Sequence, residues 1–176
     1  PGYNMGWLAN NLQVAELLAD YKYYNGQSLY ENPKFAKMFT AQIPLTLISK
    51  YTVQQGDSGG TGSIGFVMDV GTAILGFSRL KTSENPQIEL AQFIHLLNGS
   101  STDNLHYSLY TDNPESIRQE IQDIINIYGP LNLGSTNSTA YGFAALRDGV
   151  LTNSSGINNT VDTLRDIWMY YGKTYG

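Results

Sequence analysis

Tyr51-Thr-Val-Gln-Gln-Gly-Asp-Ser-Gly-Gly-Thr-Gly62 divides the chain in two. Its last seven residues hold four glycines and one carboxylate. Glycine reaches backbone conformations that other residues reach only with strain, so this stretch is a tight loop that lets backbone or ligand come close. The same Gly-Asp-Ser-Gly-Gly run also serves as an ordinary connection between helices. Two long apolar patterns with helical spacing precede it. Three more follow before the composition turns β-prone, so a mainly α chain with a short C-terminal antiparallel β segment is expected.

Working outward, Met5 to Tyr24 carries apolar residues at Leu8, Leu12, Ala15, Leu18, Ala19 and Tyr23, one face of a helix that Asn25-Gly26 would stop. Pro33 to Lys50 repeats the pattern through Phe35, Met38, Phe39, Ile43, Leu47 and Ile48, with Asn32 placed to cap it and Pro33 at its first position. Pro44 lies inside that pattern and predicts a kink or a break. The two elements are expected to form a helical hairpin. Ile64 to Leu80 reads as a third, glycine-interrupted helix packed on both sides. Pro86 to Leu97, closed by Asn98-Gly99, is a fourth. Asp112 or Asn113 with Pro114 starts a fifth, which Gly129-Pro130 ends. Paired helices with loops of several residues and no fixed-period repeat fit an array of helical hairpins.

Beyond Pro130, Tyr141 to Gly149 and Asp166 to Gly172 read as two strands, with the Asn/Ser-rich Thr152 to Thr160 as their connecting loop. A two-stranded ribbon is marginal alone. Its apolar face is expected to pack on the helices or on a further sheet.

Composition narrows the function. With 176 residues, 41% hydrophobic and 12% aromatic, the chain can bury a real core. A net charge of -5 leaves no basic face for nucleic acid or for an anionic membrane surface. No apolar run reaches the roughly 18 residues of a membrane span, and Pro1-Gly-Tyr-Asn-Met-Gly6 does not read as a charged region before the apolar run of a secretory leader. Cysteine is absent, which removes disulfides, thiol nucleophiles and thiolate metal sites. The loop is not a phosphate loop, because no Gly-Lys-Ser/Thr follows. Nor does Ser58 belong to a trypsin-like triad, because no His precedes it. His95, inside an apolar helical pattern, reads as a packing residue, and His106, in a polar link, as exposed; two isolated histidines make no metal site. Four Asn-x-Ser/Thr matches, at Asn98, Asn137, Asn153 and Asn158, arise easily in so Asn/Ser/Thr-rich a chain. Thirteen tyrosines, several of them clustered at Tyr21, Tyr23, Tyr24 and Tyr30, suit either stacking on sugar rings or packing.

Several short motifs occur in a fixed order: Pro1-Gly-Tyr-Asn4 before a long helix, Lys37-Met-Phe39 in the second, Gly56-Asp57-Ser58, Tyr141-Gly-Phe-Ala-Ala-Leu-Arg-Asp-Gly149, and Asp166-Ile-Trp-Met-Tyr-Tyr-Gly172. In that order they resemble the heparinase II/III-like polysaccharide lyases over nearly the whole chain. The resemblance implies a bacterial, secreted or periplasmic enzyme with an incomplete (α/α) toroid followed by an antiparallel β-sandwich. Residues 1–130 would be helical hairpins of the toroid, and 131–176 a linker and the first sandwich strands. The family continues into a Gly-His-Gly-His-x-Asp motif where this chain reaches Gly176, so a piece of a longer enzyme is expected. Its missing domains would then be partners, and oligomeric state is left open.

The implied reaction is β-elimination on a uronic-acid polysaccharide, an acidic polymer and the expected binding partner. Asn4 matches the residue that hydrogen-bonds the uronate carboxylate; it can equally cap the following helix. Tyr51 is the candidate acid for the leaving oxygen, or else an aromatic closing the second helix on the core, since Ser58 to Gly60 contain no Tyr. Tyr3 and Trp7 beside Asn4, and Asp57 and Ser58 in the loop, are candidate substrate contacts, although Asp57 can also simply order its own loop. No cofactor is expected within these residues; the resemblance allows a divalent metal in the missing sandwich. A non-catalytic carbohydrate-binding or scaffold protein on a lyase-like fold is the alternative.

Overall fold

A computed structural model of the chain describes residues 2–19, 21, 25–48, 51–53, 68–80, 84–139, 142–149 and 165–172. Among them are five α-helices, a two-stranded hairpin and a three-stranded antiparallel sheet. The expected class, mainly α with a short β segment, is what the chain adopts.

Helix α1 spans Gly2–Ala19. Asn4 therefore lies inside the first turns and not ahead of them, which corrects both the expected start at Met5 and the expectation that Asn4 caps the helix. Of the expected continuation to Tyr24, Tyr21 stands outside the helix, which ends at Ala19, and 20 and 22–24 lie outside the described residues. Helix α2 spans Pro33–Thr40, and the Asn32 side chain accepts from the Lys34 amide at 2.9 Å, as the Asn-Pro pair predicts. The break at Pro44 is complete. Ile43–Leu45 forms one 3-10 turn, and the chain then leaves as strand β1, Thr46–Leu47, paired antiparallel with β2, Tyr51–Thr52. Proline lacks the donor that a continuing helix needs, and the residues after it are β-branched or apolar. The second helix thus ends ten residues before Lys50, and Tyr51 belongs to a strand rather than a helix end.

Helix α3, Val70–Arg79, is capped by Asp69, whose Oδ1 accepts from the Thr72 amide at 2.9 Å. This is a later start than Ile64; 64–67 lie outside the described residues. Buried positions go right round α3: Gly71, Ala73, Ile74, Leu75, Gly76 and Phe77. Helix α4, Glu84–Leu97, ends on Gly99 at φ +74, with Gly99 N donating to Leu96 O and Ser100 N to His95 O. Those two bonds close its last turn. Helix α5 spans Pro114–Tyr128 and stops at Gly129. One apolar core joins all five helices, with Phe39, Phe77, Phe93, Ile94 and Ile121 at its centre.

Strands β3, Thr136–Ser138, β4, Phe143–Asp148, and β5, Arg165–Tyr170, form the sheet in that order. The ribbon thus gains a third strand. The expected connecting loop, 152–160, lies outside the described residues. Phe143 and Ala145 pack on Leu45, Leu47 and Val53 in a second, smaller apolar cluster, so one face of the sheet meets the β1–β2 hairpin. The other face leaves Leu146, Ile167 and Met169 exposed. No described helix is long and apolar enough to cross a membrane.

Candidate functional site

The sequence-predicted site is distributed over α1, β2 and the glycine loop. Tyr3 and Asn4 lie in the first turns of α1, and Trp7 follows Asn4 by one turn with 71% of its surface exposed. Spacing of three puts Asn4 and Trp7 on neighbouring positions of one helix face. Tyr51, half-buried, is paired with Leu47 across the β1–β2 hairpin. Cross-strand partners share a face, so Tyr51 stands on the face that Leu47 turns toward Phe143 and Ala145. Asp57 and Ser58 lie outside the described residues. His95 is half-buried in α4, where burial lowers its pKa, and His106 is exposed.

Two charged clusters were not anticipated. The first centres on Glu16, 3% exposed on α1. Arg79 at the end of α3 grips it with one edge of its guanidinium, Nε to Oε1 at 3.1 Å and NH2 to Oε2 at 2.7 Å, while the Tyr30 hydroxyl donates to Oε1. Arg79 NH1 also reaches Asp112 Oδ2 at 3.1 Å, and NH2 the Tyr110 carbonyl at 3.1 Å. The hydrogen bond to Glu16 raises the Arg79 pKa; burial first, then Glu16, raises that of Tyr30. Both shifts lead away from neutral pH, and the cluster ties α1 to α3. A signal for it existed: position 16 continues the i, i+4 stripe of Leu8 and Leu12, where a carboxylate needs a partner.

The second joins Arg147 on β4 to Asp166 on β5, directly opposed in register and with side chains only 6% and 4% accessible. Arg147 Nε faces Asp166 Oδ2 at 3.5 Å, an ion pair without a hydrogen bond. Its NH1 donates to Gly134 O at 2.8 Å, and its NH2 to Pro44 O at 2.6 Å and Thr46 O at 2.9 Å. Asp166 Oδ2 accepts from the Ile48 amide at 2.7 Å. Burial lowers the Arg147 pKa, and Asp166 opposes that shift. The pair lines a cleft of about 210 Å³ with Thr46, Ile48, Asn132 and Asp148. Sequence could not pair these residues, because strand register decides it.

Among the described residues no three His, Asp or Glu side chains group to hold a metal ion. Comparison with protein-family models, with characterised proteins and with solved structures finds no match.

Proposed function

We propose that the chain is part of a bacterial, secreted or periplasmic lyase that cleaves a uronic-acid polysaccharide by β-elimination. The observation that carries this reading is the ordered set of motifs from Gly2-Tyr-Asn4 through Gly56-Asp57-Ser58 to Asp166-Ile-Trp-Met-Tyr-Tyr-Gly172. In this reading α1 to α5 belong to an incomplete (α/α) toroid, and β3 to β5 open a β-sandwich. The exposed outer face of β4 and β5, with Leu146, Ile167 and Met169, is what a sheet awaiting a second layer presents.

In the proposed reaction a base takes the C5 proton beside the uronate carboxylate, and the C4–O bond breaks. The electron pair left at C5 forms the C4=C5 double bond, and an acid protonates the departing oxygen. Asn4 hydrogen-bonds the carboxylate, offsetting charge that develops there in the transition state. Tyr51 supplies the proton to the leaving oxygen. Trp7, exposed one turn from Asn4, offers an apolar face to a pyranose ring, and Tyr3, Asp57 and Ser58 complete the proposed substrate contacts. The metal that the resemblance allows has no donor set among the described residues, and no step is assigned to it.

The test is the ultraviolet absorbance of unsaturated uronate, followed with the full-length protein on heparan sulfate, chondroitin, hyaluronan and alginate. Product from one polymer, lost on Asn4→Ala, is the expected outcome. One observation favours a second reading, a binder without turnover: Ser58 to Gly60 hold no Tyr. Polymer binding that survives Asn4→Ala, with no product from any polymer, would select it.

A further inference from the structure

The contacts made by Arg147 and Asp166 converge on one short piece of backbone. Arg147 NH2 holds the carbonyls of Pro44 and Thr46, and Asp166 Oδ2 holds the amide of Ile48. Pro44 lies in the 3-10 turn that leads into β1, Thr46 opens the strand and Ile48 follows it, so the two side chains hold the backbone on both sides of β1. The segment is held in an unusual shape. Ile48 has φ +41, and a β-branched residue in the left-handed region persists only where its surroundings over-determine it. Tyr51 pairs with Leu47, the residue just before Ile48. Where β1 is held therefore decides where its strand partner Tyr51 stands.

We propose that Arg147 and Asp166 are positioning residues for Tyr51: they pin the β1–β2 hairpin to the sheet and so set where that phenol sits relative to substrate. This rests on the lyase reading with Tyr51 as the acid. Stability alone is a poor account of the pair. A buried ion pair contributes little beyond what a well-packed apolar pair of the same volume contributes. The planar guanidinium fork, by contrast, dictates direction, since its NH2 spans the Pro44 carbonyl of the 3-10 turn and the Thr46 carbonyl of β1 while its NH1 takes the Gly134 carbonyl from the linker. Both side chains are more than nine-tenths buried, so water does not loosen the arrangement. The same face of the sheet carries Phe143 and Ala145, which pack the hairpin from the apolar side. Packing presses the hairpin down, and the polar contacts fix its register.

The test uses the full-length protein with 3-fluorotyrosine at position 51, in the wild type, in Arg147→Lys, and in the double variant Arg147→Met with Asp166→Leu. The double variant keeps the volume and leaves no buried unpaired charge, so it folds even where a single loss of charge would not. In both variants the fluorine resonance of Tyr51 is expected to move, and the amides of Ile48 and Val53 to exchange about tenfold faster, while amides in α4 keep their wild-type rates. On the polymer that the wild type cleaves, kcat is expected to fall about 100-fold, the scale of a misplacement near 1 Å, with KM held within about twofold. Wild-type kcat and an unmoved Tyr51 resonance in both variants would overturn the proposal and leave the lyase reading standing. Faster exchange throughout α4 would overturn it by making the pair a general support of the fold. A wild type without turnover on any polymer, with the resonance shifts present, would remove the lyase reading and the catalytic role together.

Discussion

Gly76→Ala sets two effects of opposite sign against each other. Gly76 lies inside α3, where alanine is the better helix former by about 1 kcal/mol. A Cβ there would stand 2.2 Å from Phe39 Cδ1, 2.7 Å from Cε1 and 2.9 Å from Cγ. Carbon atoms rest at about 3.5–4.0 Å, so the ring or the helix must yield by more than 1 Å. Phe39 has nowhere to go. It is 0% exposed, with Phe35 edge-on at 5.5 Å and Tyr30 stacked at 6.3 Å. Overpacking of this kind costs about 3 kcal/mol, the upper part of the usual range, so the net loss is about 2 kcal/mol. In thermal unfolding that is a fall of about 4–8 °C for a chain of this size. The decisive assay is the double-mutant cycle with Phe39→Ala. Once the ring is gone, Gly76→Ala should become stabilising by about 1 kcal/mol, a reversal of sign. A neutral or stabilising Gly76→Ala in the wild-type background would mean that Phe39 does not crowd this position.

Other consequences can be measured independently. Arg79→Ala leaves the Glu16 carboxylate, 3% exposed, without its bidentate partner and should cost about 3 kcal/mol in urea unfolding, while Glu16→Gln costs less because no buried charge is stranded. Burial holds the His95 pKa below its ordinary 6.5, so the unfolded chain takes up that proton first as pH falls. The stability it contributes is full above about pH 6.5 and is lost as pH drops through the folded value; His95→Gln should flatten that slope in unfolding midpoints taken from about pH 7 to pH 5. Gly142 stands at φ +74, and a Cβ there would lie 2.3 Å from Gly172 Cα. Gly142→Ala should therefore free the Tyr171 and Gly172 amides, both bonded to the Gly142 carbonyl, to exchange faster, while amides of α4 and α5 keep their rates.

What the sequence disclosed was local. Asn32-Pro33 and Asn98-Gly99 announce a helix start and a helix end because cap chemistry acts within a few residues, and both are found where expected. The glycines of α3 marked a helix packed on both sides, and Gly76 against Phe39 is the contact behind that pattern. Pro44 announced a break but not its sequel, since whether the chain re-enters a helix or turns into a strand depends on what it meets. Here it meets Phe143 and Ala145, about a hundred residues away. The same limit hid the Arg147–Asp166 pair. Each residue was visible inside a quoted motif, but their partnership with residues 44, 46 and 48 is set by strand register and tertiary docking. Glu16 was legible in principle, as a carboxylate on the buried stripe of α1, whereas Arg79 as its partner was not. Of the candidate site, α1 carries Asn4 and Trp7 on adjacent turns and β2 carries Tyr51.

The proposed role of Asn4, offsetting the charge of a uronate carboxylate during β-elimination, is read out by the rate of unsaturated-uronate formation in the wild type, Asn4→Ala and Asn4→Asp. Product from one polymer in the wild type, with kcat at least about 100-fold lower in Asn4→Ala and lower still in Asn4→Asp, where a like charge faces the carboxylate, is the predicted result. Product formed at the wild-type rate by Asn4→Ala, or no product from any uronate polymer in the wild type, would contradict it.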